Sequence, residues 1–190
     1  FGLNAQNIQV SGTDLYTAEQ IQFVGGIADG QNLIRLNTDF IANRLKKSLV
    51  YVDDVTVEKH YPDSLSVTIT QAKEAADIKT KSGWCTVSQS GRVLSANPER
   101  VNTKLPEVVG YELKSETAGD KAESTDAQKT EILSDLFDRM NSLGMKNIKK
   151  IDITDRTDIK LNYDNRIEIQ LGSSVDLDIK LTYIKTVLDK

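Results

Sequence analysis

The chain has very little of the residue types on which most catalytic and metal sites depend. Among its 190 residues there is one cysteine, Cys85, and one histidine, His60. A single cysteine cannot form an intramolecular disulfide, and a zinc site would lack ligands. We therefore expect stability to come from the packing of hydrophobic side chains, which make up 38% of the sequence.

The sequence also lacks long apolar runs and dense basic tracts. No apolar segment approaches the roughly 18–20 residues that a membrane-spanning helix needs. The net charge is −4 and no Lys/Arg-rich stretch stands out, so the sequence does not suggest a nucleic-acid partner. With 27% charged residues, the composition is typical of a soluble globular chain, long enough for one ordinary domain or two small ones.

The first third of the chain predicts the element order β-α-α-β-β. Apolar and polar residues alternate before Gly12, as in a short strand. Thr17 is expected to cap the first helix with Gln20 as its capping-box partner, and Gly25-Gly26 to end it. The side chains expected to face a core are Ile21, Phe23 and Val24 in this helix and Ile41, Leu45 and Leu49 in the next.

The only histidine stands next to a predicted turn. Tyr61-Pro62-Asp63-Ser64 reads as a β-turn in which Pro62 takes the second position and Asp63 the third. This places His60 on the polar face at the mouth of a hairpin. As a general base or metal ligand it would need a nucleophile or a second ligand, and neither is near it in sequence. We interpret His60 as a solvated strand residue.

Three further features resemble chemical sites, and each has a simpler interpretation. Cys85 is predicted to be a packed strand residue, since a nucleophilic cysteine usually needs a histidine. Asp152, Asp155 and Asp158 recur every third residue, but a calcium loop needs more ligands and a glycine at its bend, which favours a solvated turn. Residues 25–30 are glycine-rich without the Lys-Ser/Thr of a phosphate loop, which favours helix termination. We predict no catalytic residue, no metal and no cofactor.

The rest of the chain predicts short strands and two helices. Residues 114–131 contain no large apolar side chain and predict a solvated, mobile loop. The clearest hairpin turns at Asp164-Asn165. Ser173 or Ser174 is expected to cap a last helix. Its predicted apolar face consists of Leu177, Leu181, Ile184 and Leu188.

Several motifs, in order along the chain, resemble the POTRA domain of the FtsQ/DivIB cell-division family. They are Val10-Ser11-Gly12, Tyr16-Thr17, Gly30-Gln31-Asn32-Leu33, Val52 to Val57, and Tyr61-Pro62-Asp63-Ser64-Leu65. The later stretches GWCTVSQSGRVL and IEIQLGSSVDLDIKLTYIKTVL are similar to the beginning and the late part of the family's second domain. The resemblance covers nearly the whole chain.

The resemblance implies an α+β protein of two domains. Residues 6–73 would form the POTRA domain, and residues 74–190 a β domain of short antiparallel strands with two helices. In this family another strand usually follows the last helix and pairs with the strand equivalent to Arg166–Leu171; that strand is expected to be missing here. Family proteins cross the membrane once, so an anchor is expected upstream of Phe1 with this part extracytoplasmic at the septum.

The family's role implies a non-catalytic scaffold that binds FtsB/DivIC-like and FtsL-like partners by adding a partner strand to a sheet edge. The residues predicted to form this edge are Arg166, Ile167, Glu168, Ile169, Gln170 and Leu171. An alternative is a POTRA module of a protein translocation or outer-membrane assembly system. Such proteins tend to repeat the domain ahead of a barrel, and here the pattern occurs once. A hydrolase would require a pocket joining His60 or Cys85 to carboxylates.

Overall fold

A computed structural model describes residues 2–190, and the chain divides into two compact units, the second beginning at Lys73. The first unit has the predicted β-α-α-β-β order, which is confirmed. Its elements are β1 (Ile8–Ser11), α1 (Ala18–Gly25), α2 (Thr38–Ser48), β2 (Val52–His60) and β3 (Ser64–Gln71), with short 3-10 turns at Ala5–Asn7 and Leu33–Arg35. The three strands lie in the order β1-β3-β2, with β1 parallel and β2 antiparallel to β3.

Helix α1 begins and ends as the sequence predicts. The Thr17 hydroxyl accepts a hydrogen bond from the Gln20 backbone N–H at 3.2 Å, and Gln20 Oε1 accepts one from the Thr17 N–H at 2.8 Å. This reciprocal capping box satisfies two N–H groups that a helix start leaves open. Gly26 ends the helix with φ of 70°, so residues 25–30 terminate a helix as expected.

The core of the first unit confirms the predicted stripe on α2 and corrects one residue on α1. Ile21 of α1 is buried, as are the stripe residues Ile41, Leu45 and Leu49. Phe23 was also expected to face the core, and this is wrong, because its side chain is 84% exposed. At about 100° per residue, Phe23 lies roughly 200° around the helix from Ile21 and so faces solvent.

The turn between β2 and β3 lies where it was predicted, with different geometry. His60 pairs with Ser64, so Ser64 belongs to the strand and residues 61–63 make the connection. The Tyr61–Pro62 peptide bond is cis.

The second unit is a seven-stranded sheet with two helices, and the α+β class is confirmed. Its elements are β4 (Glu74–Thr80), β5 (Gly83–Ser88), β6 (Val93–Asn97), β7 (Glu107–Val109), α3 (Ala127–Ser142), β8 (Ile148–Asp152), β9 (Ile159–Tyr163), β10 (Ile167–Gly172) and α4 (Leu177–Leu188). The strand order is β10-β9-β8-β7-β4-β5-β6. The predicted antiparallel pairing holds except at β7, which is parallel to both β4 and β8. A parallel pair needs a crossover, and α3 supplies it between β7 and β8.

Both helices of this unit contribute side chains to its core. Leu133 and Leu136 of α3 and Leu177 and Leu181 of α4 are buried there. The predicted cap of α4 is wrong: the helix follows Asp176, which has φ of 54° and makes no side-chain cap. The hydroxyl of Ser173 instead accepts a hydrogen bond from the Val175 N–H in the turn before the helix.

The segment predicted to be a mobile loop is packed along β6 and runs into α3. We call residues 114–126 the closing segment. Its Gly119 N–H donates to the Val93 carbonyl at 2.7 Å, the Val93 N–H donates to the Asp120 carbonyl at 2.8 Å, and the Ala122 N–H donates to the Gly91 carbonyl at 2.8 Å. These bonds need no large apolar side chain, which is why the composition of the segment did not reveal them.

Candidate functional site

His60 and Cys85, the two residues considered as possible catalytic groups, lie in different units of the chain. His60 is exposed on β2 of the first unit, and its Nε2 lies 2.9 Å from Ser66 Oγ on the adjacent strand. Cys85 belongs to β5 of the second unit. The position of His60 supports its interpretation as a solvated strand residue.

Cys85 is a packed core residue, as the sequence predicts. Its side chain is fully buried, and Sγ lies 3.8 Å from Glu116 Oε1 of the closing segment. Burial, and next the negative charge of Glu116, raise the pKa of the thiol to about 11. The thiol is therefore neutral near physiological pH, where only a thiolate would be an effective nucleophile.

The three regularly spaced aspartates shape the connection between β8 and β9. The Asp152 carboxylate accepts the Thr154 N–H at 3.0 Å, and the Asp155 carboxylate accepts the Thr157 N–H at 2.8 Å. Burial works to raise the pKa of Asp152, but the bonds from Thr154 outweigh it and the pKa is lowered; the bonds from Thr157 lower the pKa of Asp155. Asp158 pairs with a lysine. Within residues 2–190, no three His, Cys, Asp or Glu side chains are grouped so as to hold a metal ion.

The predicted partner-binding residues form the last strand of the seven-stranded sheet. Strand β10 contains five of the six, and Arg166 lies in the turn before it, where its N–H donates to the Tyr163 carbonyl at 3.0 Å. The turn residues Asp164 and Asn165 both have positive φ, as a tight hairpin of this hand requires. Among the described residues, β10 pairs only with β9, so its outer edge is free of any other strand.

The side chains of β10 alternate between apolar residues on the core side and polar residues on the other side. On the core side, Ile167 is 44% exposed, Ile169 is half-buried and Leu171 is buried. On the other side, Glu168 and Gln170 are exposed, and Glu168 is the strand's one charged residue. Edge strands in natural proteins are usually protected by several charges, by proline or by a covering segment. The free edge of β10 therefore has little protection against pairing.

Helix α4, which follows β10, carries an exposed apolar stripe. Ile179, Tyr183 and Val187 are 69%, 70% and 50% exposed. Lys180, on the same helix, donates hydrogen bonds from Nζ to the carbonyls of Leu171 and Ser173, both at 3.0 Å, which places α4 against the end of β10. This exposed stripe was not predicted, although its i, i+4, i+8 spacing is visible in the sequence; the prediction covered only the buried face of the helix.

The opposite edge of the same sheet meets the closing segment where β6 begins. Two of the three backbone bonds described above join the segment to Val93 of β6, the third joins it to Gly91 in the turn before, and Arg92 adds a bond from Nε to the Gly119 carbonyl at 3.0 Å. The second unit thus presents one edge that the closing segment joins at Val93 and one open edge at β10.

These features define a class of protein: a three-stranded β-α-α-β-β unit followed by a mixed-sheet unit with an open edge. Family models assign each part. Residues 3–71 match the POTRA domain of FtsQ type, and residues 76–190 match the C-terminal part of the cell division protein FtsQ/DivIB. The chain belongs to the FtsQ/DivIB family of cell division proteins.

Two relatives from this family can be aligned with almost the full length of this chain. It is 23% identical to the cell division protein DivIB of Clostridium botulinum (strain Hall) over 188 residues, covering 98% of this chain and 73% of the relative. It is 25% identical to the cell division protein FtsQ of Corynebacterium glutamicum over 194 residues, covering 99% and 80%. A solved extracytoplasmic domain of DivIB from Geobacillus stearothermophilus is similar at 10% identity with a TM-score of 0.41, over 60% of this chain and 87% of that domain. No helix within residues 2–190 is long and apolar enough to span a membrane.

Proposed function

We propose that this protein is a non-catalytic scaffold of the cell-division machinery that binds a partner strand along β10. The observation that carries the proposal is the open edge of β10, which has one charged side chain and pairs only with β9 among the described residues. A partner strand placed there gains main-chain hydrogen bonds, and its alternate side chains contact Ile167 and Ile169. Such a role needs no catalytic residue.

The expected partners are the extracytoplasmic parts of DivIC/FtsB-like and FtsL-like division proteins. We further propose that a single membrane anchor precedes Phe1 and that this part lies outside the membrane at the septum. Membership in the FtsQ/DivIB family supports division over the alternative role in translocation or outer-membrane assembly.

The decisive experiment measures amide hydrogen exchange in the chain with and without a purified DivIC-like/FtsL-like ectodomain pair. Strand addition would slow exchange at residues 166–171, because amides of a free edge gain hydrogen-bond partners. Exchange in β6 should not change, since its edge is already covered. Binding without protection at β10 would place the contact elsewhere and overturn the proposal.

A matched pair of substitutions tests the side chains. Ile167→Lys puts a charge on the proposed contact and should weaken partner binding by roughly tenfold or more, as loss of an interface anchor does. Ile34→Lys makes the same change at a residue that is 70% exposed in the first unit and should leave binding unaltered. Equal effects of the two substitutions would contradict a site at β10.

Residues beyond Lys190 can be tested separately. The same binding measurement is made with a chain that extends past Lys190 through the next strand. Stronger binding by the longer chain would place a main contact in the added residues, with β10 as their support. Equal binding would keep the contact within residues 166–171.

A further inference from the structure

The first unit exposes several large apolar side chains. Among residues 2–72, five of them are exposed over half or more of their surface. They are Leu15, Phe23, Ile34, Phe40 and Tyr61. A single exposed apolar residue is common and needs no explanation, whereas a group of them in one place marks a surface that contacts something apolar.

The three strands define two ends of this unit, and one end contains the turn with Tyr61. Leu65, at the start of β3, pairs with Ile8 at the start of β1 and with Lys59 near the end of β2. Residues 61–63 connect β2 to β3 at that end, and Tyr61 is exposed there. We call this end of the unit the apolar end.

Helix α1 runs from the opposite end towards the apolar end. It starts shortly after Tyr16, whose hydroxyl accepts a hydrogen bond at 3.2 Å from the N–H of Tyr51, the residue before β2. Leu15 therefore lies at the opposite end of the unit. Phe23, in the last turn of α1, lies towards the apolar end.

The segment after α1 and the start of α2 also lie at the apolar end. Lys59 Nζ donates a hydrogen bond to the Ile34 carbonyl at 3.2 Å, which places Ile34 beside the end of β2. Helix α2 begins at Thr38, and Phe40 lies in its first turn. Four of the five exposed apolar side chains thus belong to the apolar end: Phe23, Ile34, Phe40 and Tyr61.

The chain that precedes Leu3 enters the first unit at the same end. The Leu3 N–H donates to the Gln31 carbonyl at 3.0 Å, and the Gly30 N–H donates to the Leu3 carbonyl at 2.7 Å. Both partners belong to the segment between α1 and α2. A membrane anchor ahead of Phe1, as proposed above, would therefore hold the apolar end towards the bilayer and the end with Leu15 away from it.

We propose that the apolar end of the first unit lies on the membrane surface. Phe23, Ile34 and Phe40 enter the boundary between lipid headgroups and acyl chains, while Tyr61, with a polar hydroxyl on an apolar ring, lies at the level of the headgroups. The site rests on the proposed anchor but not on strand addition, because none of its residues belongs to β10 or α4.

The charges at this end indicate that apolar contact, rather than attraction to anionic lipid, drives the binding. Charged residues of both signs lie on the same elements: Asp29, Arg35, Asp39, Lys59 and Asp63. Segments held by anionic lipid instead carry clusters of lysine and arginine. Binding to uncharged phosphatidylcholine vesicles should therefore persist at high salt.

The first experiment holds the whole 190-residue chain on vesicles through an N-terminal histidine tag and a nickel-chelating lipid, which stand in for the anchor. The vesicles contain brominated phosphatidylcholine, which quenches tryptophan fluorescence within the membrane. Phe23→Trp should be quenched more than the unsubstituted chain, whose one tryptophan is Trp84 of the second unit. Leu15→Trp should show no added quenching. Equal quenching in the two variants, or none beyond that of the unsubstituted chain, would overturn the proposal.

The second experiment measures, by cosedimentation, how the untagged chain partitions onto phosphatidylcholine vesicles. Phe23→Ser and Phe40→Ser should each lower the partition coefficient roughly tenfold, the loss expected when one inserted aromatic ring is removed. Leu15→Ser is the matched control at the opposite end and should leave partition unchanged. All three residues are exposed, so folding should not be affected. Partition that is unaltered by both phenylalanine substitutions, or that is lost at high salt, would contradict apolar insertion.

Sedimentation of the chain without lipid tests a second copy as the alternative occupant. If Phe23→Ser lowered self-association, the apolar end would be a contact between copies, and the membrane proposal would be overturned. No division partner is present in any of these measurements. Failure here would therefore leave strand addition at residues 166–171 standing, and failure of strand addition would leave the apolar end standing.

Discussion

The two edges of the seven-stranded sheet differ, because a segment of the chain lies beside one and no other described strand lies beside the other. Strand β6 is covered by a polar segment that donates and accepts backbone hydrogen bonds at Val93. Strand β10 has comparable backbone groups and the same number of large or small apolar side chains, three, but within residues 2–190 it pairs with β9 alone. Covering an edge requires the ordering of a dozen residues, and this fold does so beside β6 but, within residues 2–190, not beside β10.

The largest expected effect on stability concerns Lys129 of α3, three residues after the closing segment. Lys129 is buried, and its Nζ donates to the Gly110 carbonyl and contacts the Glu112 carboxylate at 3.3 Å. Lys129→Met keeps the apolar stem but leaves the Gly110 carbonyl without this donor, which should lower the free energy of unfolding by about 2 kcal/mol. Urea denaturation measures the loss. Lys121→Met, at an exposed lysine of the closing segment, should change stability by less than about 0.5 kcal/mol; an equal loss would contradict the role of Lys129.

The next prediction concerns the backbone hydrogen bonds between the closing segment and Val93 of β6. Gly119 has φ of 98°, a conformation that a residue with a Cβ adopts at a cost of about 1–2 kcal/mol. In Gly119→Ala the segment should loosen and hydrogen exchange in β6 should accelerate. Gly144→Ala places similar backbone strain, at φ of 62°, after α3. If the Gly144 variant accelerates exchange in β6 as much, the closing segment is not what protects that edge.

A smaller effect is expected at the open edge of β10, where a substitution should change self-association. Glu168→Ala removes the one charge of β10 and should leave the free energy of unfolding within about 0.5 kcal/mol of the parent, since the side chain is exposed. Self-association should nevertheless increase, because a charge on an edge discourages pairing between copies. Sedimentation over a concentration series measures this. Glu131→Ala, on the exposed side of α3, is the control and should not associate more.

The smallest expected effect is a change in the pKa of Cys85. Glu116 of the closing segment is the second cause, after burial, of the raised pKa of Cys85. Glu116→Gln removes a negative charge that disfavours the thiolate, so the pKa should fall from about 11 while staying above 9.0, because burial remains. An alkaline titration of thiolate absorbance measures it. An unchanged pKa would mean that the closing segment does not approach β5 in solution.

The same thiol gives stability a pH dependence of known sign. Its pKa is raised in the folded state, so its contribution is fully present below 9.0 and is lost as the pH rises towards about 11. Over that range the unfolded chain ionises first and is favoured. Cys85→Ser should flatten this alkaline decline in unfolding experiments.

Features fixed by neighbouring residues could be predicted from the sequence. The capping box at Thr17, the stripe on α2 and the turn at Asp164-Asn165 each depend on residues a few positions apart, so their patterns are visible along the chain. The strand at residues 167–171 could be predicted for the same reason. That it lies at the edge of the sheet was expected from family resemblance rather than from periodicity.

Features that depend on distant partners could not be predicted. The closing segment has no apolar pattern because backbone groups of β6, some 25 residues away, hold it in place. Strand β7 has only three residues, too few to show whether its neighbours run parallel.

The pairing of β1 with β3 affects the order in which the first unit folds. Ile8 lies beside Leu65 and Val10 beside Val67, so among residues 2–190 the first strand pairs with a strand from the end of the unit. During synthesis from the N terminus, β1 emerges before β3, while β2 and β3 are close enough in sequence to form a local hairpin first. Closing so long a loop is slow, and docking of β1 is therefore expected to be the late step in folding of this unit.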